Sequence, residues 1–291
     1  MNTPPATPPE DAVASESFYT VAETSALRLL LDRADEQKKV IDAERPLRDD
    51  IWQSIQQNLR IQWTYDSNAI EGSTLSRGET AFFLQEGLTV EGKPLKDYLD
   101  ARNHAEAIDA LHEIVEDRRP ISEGLIRELN ALLLSGVTHT QAVNEFGQKV
   151  RKPASPGQYK TRPNHVRKLD GSLHFYAEPL QVPGEMERLV KWVEVNINTQ
   201  HPAVTGAVAH YNMVRIHPFD DGNGRGARLL MNLILMKRGY PPAIVRMEQR
   251  RRYLQTLDQA DKGDLAPFTE FIAESLIATQ DRIVADLACR P

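Results

Sequence analysis

The sequence has one cysteine in 291 residues and no long apolar stretch. The single thiol, Cys289, excludes an internal disulfide and is typical of a reducing compartment. No segment approaches the roughly 18 consecutive apolar residues of a membrane helix, and no basic segment followed by an apolar one opens the chain. We therefore expect a cytoplasmic protein with no membrane partner, although export by a dedicated secretion machine would leave no such mark.

The chain also lacks an excess of positive charge. The chain has 35 Lys and Arg residues against 41 Asp and Glu residues, which gives a net charge of −6 at pH 7. Proteins that bind nucleic-acid backbones need concentrated Lys and Arg, so this balance argues against a nucleic-acid partner. We interpret the arginine run at 250–252 as a solvated helix face.

Helical spacing of apolar residues covers most of the chain. Residues 1–15 are rich in Pro, Ala and Thr and are expected to form a disordered tail. We divide the rest into an N-terminal helical region at 16–90, a core at 91–266 and a C-terminal helix at 267–291. Helices are predicted at 17–45, from 51 to beyond 63, and at 76–85, 95–115, 121–134, 186–193, 203–216, 229–236, 250–265 and 267–288.

The helical period stops between Gly136 and Pro183. Pro and Gly accumulate there, and Asp170-Gly171 lies between two extended segments, 165–168 and 173–176. An Asp-Gly pair between extended residues is a signal for a β-hairpin. The predicted fold class is therefore all-α with one small hairpin.

The most informative stretch is 217–228, which reads His-Pro-Phe-Asp-Asp-Gly-Asn-Gly-Arg-Gly-Ala-Arg and leads into an apolar run at 229–236. A glycine-rich turn that opens a helix directs N–H groups outward at the positive end of the helix dipole, which makes an anion site. Arg225 and Arg228 fall in the first turn of this helix, on one face. Cations at this end oppose the helix dipole unless a polyphosphate binds them. Asp221 offers the hard oxygen that Mg²⁺ prefers, and His217 can accept a proton near neutral pH.

Two other phosphate-binding patterns are incomplete. Gly222, Gly224 and Ala227 fit a dinucleotide pattern, and Glu248 lies at a suitable ribose-binding distance. That pattern needs a buried strand before it, however, and residues 211–218 are not a continuous apolar run. Residues 87–93 approach a P-loop, but Pro94 stands where its Ser or Thr should be. A purely structural turn with solvated arginines is the remaining alternative.

Residues 217–228 match every position of the Fic family motif, His-x-Phe-x-(Asp/Glu)-Gly-Asn-(Gly/Lys)-Arg-x-x-Arg, and the chain resembles this family from roughly 52 to 253. Most Fic proteins transfer AMP from ATP to a protein hydroxyl. The resemblance implies a helical Fic core with a β-hairpin flap and an N-terminal helical extension. It also implies ATP as substrate, Mg²⁺ as cofactor, and a target protein with a Ser, Thr or Tyr hydroxyl. The chain itself is a further expected target, and a homodimer is one compatible assembly.

The resemblance assigns roles along the motif. His217 takes the proton from the target hydroxyl, Asp221 holds Mg²⁺ between the α- and β-phosphates, and Arg228 grips the γ-phosphate. The nucleotide-binding set includes the residues that cradle the phosphates and their neighbours: Gly222, Asn223, Gly224, Arg225, Gly226 and Ala227.

Several looser assignments keep a structural alternative. Asn232 either orients Arg228 or is a satisfied core amide. Tyr253 and Leu254 loosely match the family's purine wall, or they are plain core. The flap would bind a target segment as an added strand, or it is an ordinary hairpin. Its residues are Ser172, Leu173, His174 and Phe175.

Residues 67–72 read Ser-Asn-Ala-Ile-Glu-Gly and resemble the Fic inhibitory motif, (Ser/Thr)-x-x-x-Glu-(Gly/Asn). The resemblance implies that Ser67 and Glu71 are inhibitory, with Glu71 paired to Arg228 where the γ-phosphate must lie. The structural alternative is that Gly72 closes a helix and Glu71 is a surface carboxylate. The family also uses this Glu to position water for AMP removal, so the sequence leaves the direction of the reaction open.

Two alternatives to AMP transfer stay open. The site could move UMP, phosphocholine or a phosphoryl group, as some family members do, or the chain could be a regulatory module that senses ATP without turnover. His217 argues against the second alternative, since binding alone needs no base. The sequence does not identify the target, the modified hydroxyl, the oligomeric state or the trigger that relieves inhibition.

Overall fold

The computed structural model describes residues 17–45, 49–143, 149–164, 166–167 and 173–288, so the predicted tail at 1–15 lies outside the described part. The described chain is mainly helical, as the apolar spacing predicts. None of the described helices combines the length and apolarity that a bilayer crossing requires. The described residues contain ten α-helices: α1 Ser25–Ala43, α2 Asp49–Ile70, α3 Arg77–Glu86, α4 Leu95–Glu116, α5 Glu123–Leu133, α6 Val182–Asn196, α7 Pro202–Ile216, α8 Asn223–Lys237, α9 Arg250–Ala260 and α10 Ala266–Ala288.

Local side chains and glycines set several helix ends. The hydroxyl of Thr24 accepts a hydrogen bond from the Leu27 N–H at 2.9 Å, so α1 begins later than the predicted residue 17. Ser76 and Glu79 form the predicted capping box at the start of α3. Gly263 has a φ of +90°, which no helix accommodates, and α9 ends before the predicted residue 265.

In the part of the chain that the structure describes, four short strands form two antiparallel pairs. β1 His139–Val143 pairs with β2 Lys149–Pro153, and β3 Val166–Arg167 pairs with β4 Leu173–His174. The second pair is the predicted hairpin, although its predicted Asp-Gly turn lies outside the described residues. The sequence analysis missed the first pair because β2, Lys-Val-Arg-Lys-Pro, contains a single non-proline apolar residue and shows no alternation.

The core is built around α7 and α8. A Cβ added to Gly206 of α7 would lie 3.2 Å from the carbonyl oxygen of Met231 in α8, so these two backbones approach closely. Residues from the N-terminal region and from α10 join the same buried cluster, among them Ala34, Ile70 and Phe268. This packing brings the end of α2 against the start of α8, where the two family-like motifs meet.

Candidate active site

The turn out of α7 presents His217. This residue follows Ile216 with a φ of +50°, a left-handed conformation, while its N–H donates to the carbonyl of Met213 at 3.1 Å. Phe219, which is fully buried, then anchors the loop in the core. A helix end and a buried aromatic ring therefore fix the backbone on both sides of His217.

The imidazole of His217 is held in a defined orientation. Its Nδ1 lies 3.4 Å from the carbonyl of Val214, and because a carbonyl can only accept, Nδ1 carries the proton and Nε2 keeps a lone pair. The ring stacks on Tyr176 with centroids 3.8 Å apart. Burial, together with the charge of Lys160, lowers the pKa of His217 to about 3. The ring is therefore neutral at pH 7, as a proton acceptor must be.

Side-chain amides shape the turn that opens α8. The Oδ1 of Asn223 accepts from the N–H of Phe219 at 2.9 Å, and its Nδ2 donates to the carbonyl of Phe219 at 2.8 Å. Gly222 has a φ of +78°, and a Cβ there would lie 3.1 Å from the Nδ2 of Asn130. The side chain of Asn223 thus holds the loop, and its contribution to an anion site would be its backbone N–H, which has no partner within the helix.

Asp221 offers a carboxylate beside this helix start. Its Oδ1 accepts from the N–H of Gly222 at 2.6 Å and lies 3.6 Å from Arg225, and its side chain is 34% exposed. Mg²⁺ usually binds through one or two carboxylates plus substrate phosphates, so this accessible oxygen fits the ion in company with a triphosphate. No group of three His, Cys, Asp or Glu side chains in the described residues forms a metal site by itself.

The carboxylate of Glu71 lies against the start of α8. A Cβ added to Gly224 would clash with Oε1 of Glu71, so this close approach requires glycine. A carboxylate is favourable at the positive end of a helix dipole. The anion site predicted from the sequence is therefore occupied by an acidic side chain of the chain itself.

Arg228 is the second partner of Glu71. Its NH2 lies 2.8 Å from Oε1 of Glu71, and its Nε donates to the hydroxyl of Ser67 at 3.0 Å. Burial alone would raise the pKa of Glu71, but the charge and hydrogen bond of Arg228 outweigh it and lower that pKa. The contact between Glu71 and Arg228 that the resemblance implies is present.

Arg225 is held by a residue that the sequence analysis missed. Its NH1 donates to Oδ1 of Asp100 at 2.7 Å, and the two side chains are only 3% and 8% exposed. Lys96, one turn earlier in α4, also pairs with Asp100. A Lys and an Asp four residues apart are typical of an exposed helix face, so the sequence carries no signal for this buried contact.

Three further positions of α8, Gly226, Ala227 and Asn232, face the core. Ala227 is fully buried, and a Cβ added to Gly226 would lie 3.6 Å from Met213. Asn232 bonds to both backbone groups of Ala243, at 2.8 and 3.3 Å, which fits the core-amide alternative. Nucleotide contacts by these three positions stay predictions.

The two residues of the predicted purine wall differ in exposure. Tyr253 is buried in the core, and its hydroxyl lies 3.0 Å from Nε2 of His210. Leu254 is 43% exposed and lines an open groove with Arg250 and Thr256. Tyr253 therefore packs as core, and a purine contact by either residue stays a prediction.

The hairpin lies beside His217. The Nδ1 of His174 is 3.5 Å from a carboxylate oxygen of Asp261, and its ring meets the edge of Tyr176. Phe175 is 66% exposed, Leu173 pairs through its backbone, and Ser172 lies outside the described residues. Tyr176 thus links the flap to His217, while binding of a target segment stays a prediction.

Solved structures share this fold. A Fic-domain signalling protein from Bacteroides thetaiotaomicron is 28% identical and has a TM-score of 0.75, and the match covers 92% of this chain and 98% of that one. For Fic-1 from Caenorhabditis elegans the identity is 27% and the TM-score 0.74, over 89% of this chain and 71% of that one. The architecture is thus that of Fic-domain proteins.

The sequence comparison gives the family. Residues 120–235 match the sequence model of the Fic/DOC family, and the chain therefore carries a Fic/DOC-family domain. It is 29% identical to protein adenylyltransferase fic-1 of Caenorhabditis elegans, over 93% of this chain and 51% of that protein. It is 32% identical to protein adenylyltransferase Fic of Nematostella vectensis, over 79% of this chain and 50% of that protein. The chain thus spans about half the length of these curated relatives.

Proposed function

We propose that the chain is a protein adenylyltransferase that moves AMP from ATP to a Ser, Thr or Tyr hydroxyl of a target protein. The observation that carries this proposal is the carboxylate of Glu71, which lies between the start of α8 and the buried Arg228. An anion accepted there by a helix dipole and a guanidinium indicates a place built for phosphate oxygens. Relatives named protein adenylyltransferases support the choice of AMP.

The residues divide the work of such a transfer. The N–H groups at the start of α8 and the two arginines would bind and orient the phosphates. Nε2 of His217 would accept the proton of the target hydroxyl, whose oxygen bonds to the α-phosphorus. The bond between that phosphorus and the oxygen bridging to the β-phosphate breaks, and pyrophosphate leaves. Positioning and charge neutralisation supply most of the catalysis.

Asp221 would hold Mg²⁺, which supplies neutralisation of phosphate charge when bound. Its carboxylate is accessible and oriented by the N–H of Gly222. The Nδ1 of His217 already carries a proton, which it donates to the carbonyl of Val214. Nε2 is therefore the nitrogen that would accept the proton of the target hydroxyl. None of the other proposed roles depends on the identity of the metal.

Glu71 would inhibit the transfer by taking the place of the γ-phosphate at Arg228. Its side chain is 43% exposed, so it can leave without disturbing the core. The family resemblance adds a second role, in which the same carboxylate positions water for AMP removal. The rates of AMP transfer and of AMP removal, measured on the same protein, decide which role dominates.

The test uses ATP labelled at the α-phosphate, mixed with the chain in a cell lysate. Glu71→Gly should raise labelling at least about tenfold, because Arg228 becomes free for the γ-phosphate. Adding His217→Ala should then lower labelling roughly 10²–10⁴-fold, the usual effect of losing a general base. Glu91→Gly, an exposed loop position, is the matched control and should leave labelling unchanged. Mass spectrometry of the labelled bands identifies the hydroxyl, and release of AMP from them measures the reverse reaction.

Other outcomes distinguish the alternatives. Transfer of label from UTP, CDP-choline or the γ-phosphate of ATP would show that the transferred group is UMP, phosphocholine or a phosphoryl group and not AMP. Labelling that is unaffected by His217→Ala would contradict the proposed base. Nucleotide binding by Glu71→Gly without transfer to any protein would favour an ATP-sensing module and contradict the enzyme.

A further inference from the structure

Two residues that precede the flap bind the backbone of the motif loop. Lys160 donates through its N–H to the carbonyl at residue 218 at 2.8 Å, and through its Nζ to the carbonyl at 216 at 3.3 Å. The Nδ2 of Asn164 reaches the carbonyls at 217 and 219, at 3.5 and 2.9 Å. Lys160 Nζ also donates to Oδ1 of Asn164 at 2.8 Å. All four consecutive carbonyls around His217 are therefore bound from one segment.

Lys160 places a buried ammonium group at the end of α7. Its side chain is 3% exposed, and the carbonyl that it binds belongs to Ile216, the last residue of the helix. A cation is favourable there because the final carbonyls of a helix lack partners and carry the negative end of its dipole. The ammonium also lies 5.8 Å from the ring centroid of Tyr176, the ring that stacks on His217. One lysine thus acts on the backbone of the base and on its stacking partner.

We propose that Lys160 is a positioning residue for the transfer step: its ammonium fixes the backbone that carries His217 and keeps a positive charge beside the imidazole. This inference rests on the proposed function, in which His217 is the base. Lys160 does not touch the reacting atoms in this account. Its effect passes through the carbonyl of Ile216, the side chain of Asn164 and the ring of Tyr176.

The charge of Lys160 changes near neutral pH. Burial lowers the pKa of Lys160 to about 8. The ammonium is therefore charged below about pH 8 and is lost as the pH rises through that value. Among the described residues, the charged or titratable groups that act on this pair are Glu178 and Asp220 beside Lys160, Glu71 and His174 beside His217, and Tyr176, which contacts both.

The test compares variants of the Glu71→Gly protein in AMP transfer between about pH 6 and about pH 9.5, a range that spans the titration of Lys160. The parent should lose rate above about pH 8. Lys160→Arg keeps its charge throughout this range, so the alkaline fall should disappear. Lys160→Met should be at least about tenfold slower at pH 7 and lack the fall, since it removes the ammonium but keeps the apolar stem. Lys191→Met, an exposed lysine of α6, should resemble the parent.

A second readout does not depend on transfer. The NMR signal of the His217 ring is assigned by its disappearance in His217→Ala. Titration of this signal should show a pKa raised by about one unit in Lys160→Met, because a neighbouring positive charge is removed. ATP affinity should stay within about twofold, since Lys160 binds backbone and not the nucleotide site.

These outcomes separate this inference from the proposed function. An unchanged His217 titration in Lys160→Met, or an alkaline fall that persists in Lys160→Arg, overturns the role of Lys160. If Lys160→Met does not fold, the profiles of the parent and of Lys160→Arg decide the question. If no variant transfers AMP, the proposed function fails, and the NMR titration still tests the contact.

Discussion

The two motif arginines, three residues apart on α8, have acidic partners in very different surroundings. Arg225 pairs with Asp100 of α4, and both side chains are almost completely buried. Arg228 is equally buried, but its partner Glu71 follows the end of α2 and is 43% exposed. Loss of either acid would leave a buried arginine charge without its nearest partner. Glu71, however, is exposed enough to move into solvent, and a bound phosphate would then replace it at Arg228. The pair formed by Arg225 is therefore permanent, and the pair formed by Arg228 is exchangeable.

This difference assigns separate tasks to the two arginines. Asp100 holds the guanidinium of Arg225 in one orientation through a buried hydrogen bond. Glu71 competes with a ligand for Arg228, because a phosphate offers the same oxygens to the same N–H groups. Regulation of the site is therefore expected at Arg228. Substitutions in the pair of Arg225 and Asp100 should damage the fold, and substitutions in the pair of Arg228 and Glu71 should change ligand binding.

The largest expected effect is on stability. Asp100→Asn should lower the free energy of unfolding by about 3–5 kcal/mol, because it removes the buried counter-charge of Arg225 and leaves only the partly exposed Asp221, 3.6 Å away. Asp109→Asn is the matched control on the same helix: Asp109 pairs with Arg60 and is 52% exposed. Its loss should cost at most about 1 kcal/mol. Urea unfolding measures both values, and equal losses would remove the distinction between a buried and an exposed acid.

A double-mutant cycle sharpens the comparison at the start of α8. Gly224→Ala should destabilise the parent by about 1 kcal/mol, because the new Cβ clashes with Glu71, which sits against this glycine. In the Glu71→Gly protein this clash is gone and the nearest remaining atom is NH1 of Arg228, 3.3 Å from the added Cβ, so alanine should stabilise the helix by up to about 1 kcal/mol relative to glycine. The expected coupling is thus about 2 kcal/mol in unfolding experiments. Additive effects would show that Glu71 does not occupy this place in solution.

The sequence predicts the parts of the site that local patterns encode. Three features of the site lie within short stretches whose residue types require their geometry. They are the left-handed turn at Gly222, the helix that follows it, and the helix end at 67–72 that carries Glu71. The capping box at Ser76 is of the same kind. These features depend on neighbours along the chain, which a single sequence displays.

The residues that the sequence analysis missed act over long separations. Asp100 lies 125 positions from Arg225, and Asn164 lies 53 positions from the carbonyl of His217. A single Asp, Lys or Asn in a sequence does not indicate which distant residue it contacts, because that contact is created by the packing of whole helices. Tyr176 was missed for the same reason, although its ring stacks on the ring of His217.

The most direct test of the central claim, that Glu71 stands where the γ-phosphate binds, is the ratio of ATP to ADP affinity measured by calorimetry. In the parent the two nucleotides should bind alike, because Glu71 already holds Arg228. In the Glu71→Gly protein ATP should bind more tightly than ADP by about threefold to tenfold, since a charged hydrogen bond to the γ-phosphate becomes available. The same ratio in both proteins would contradict the account.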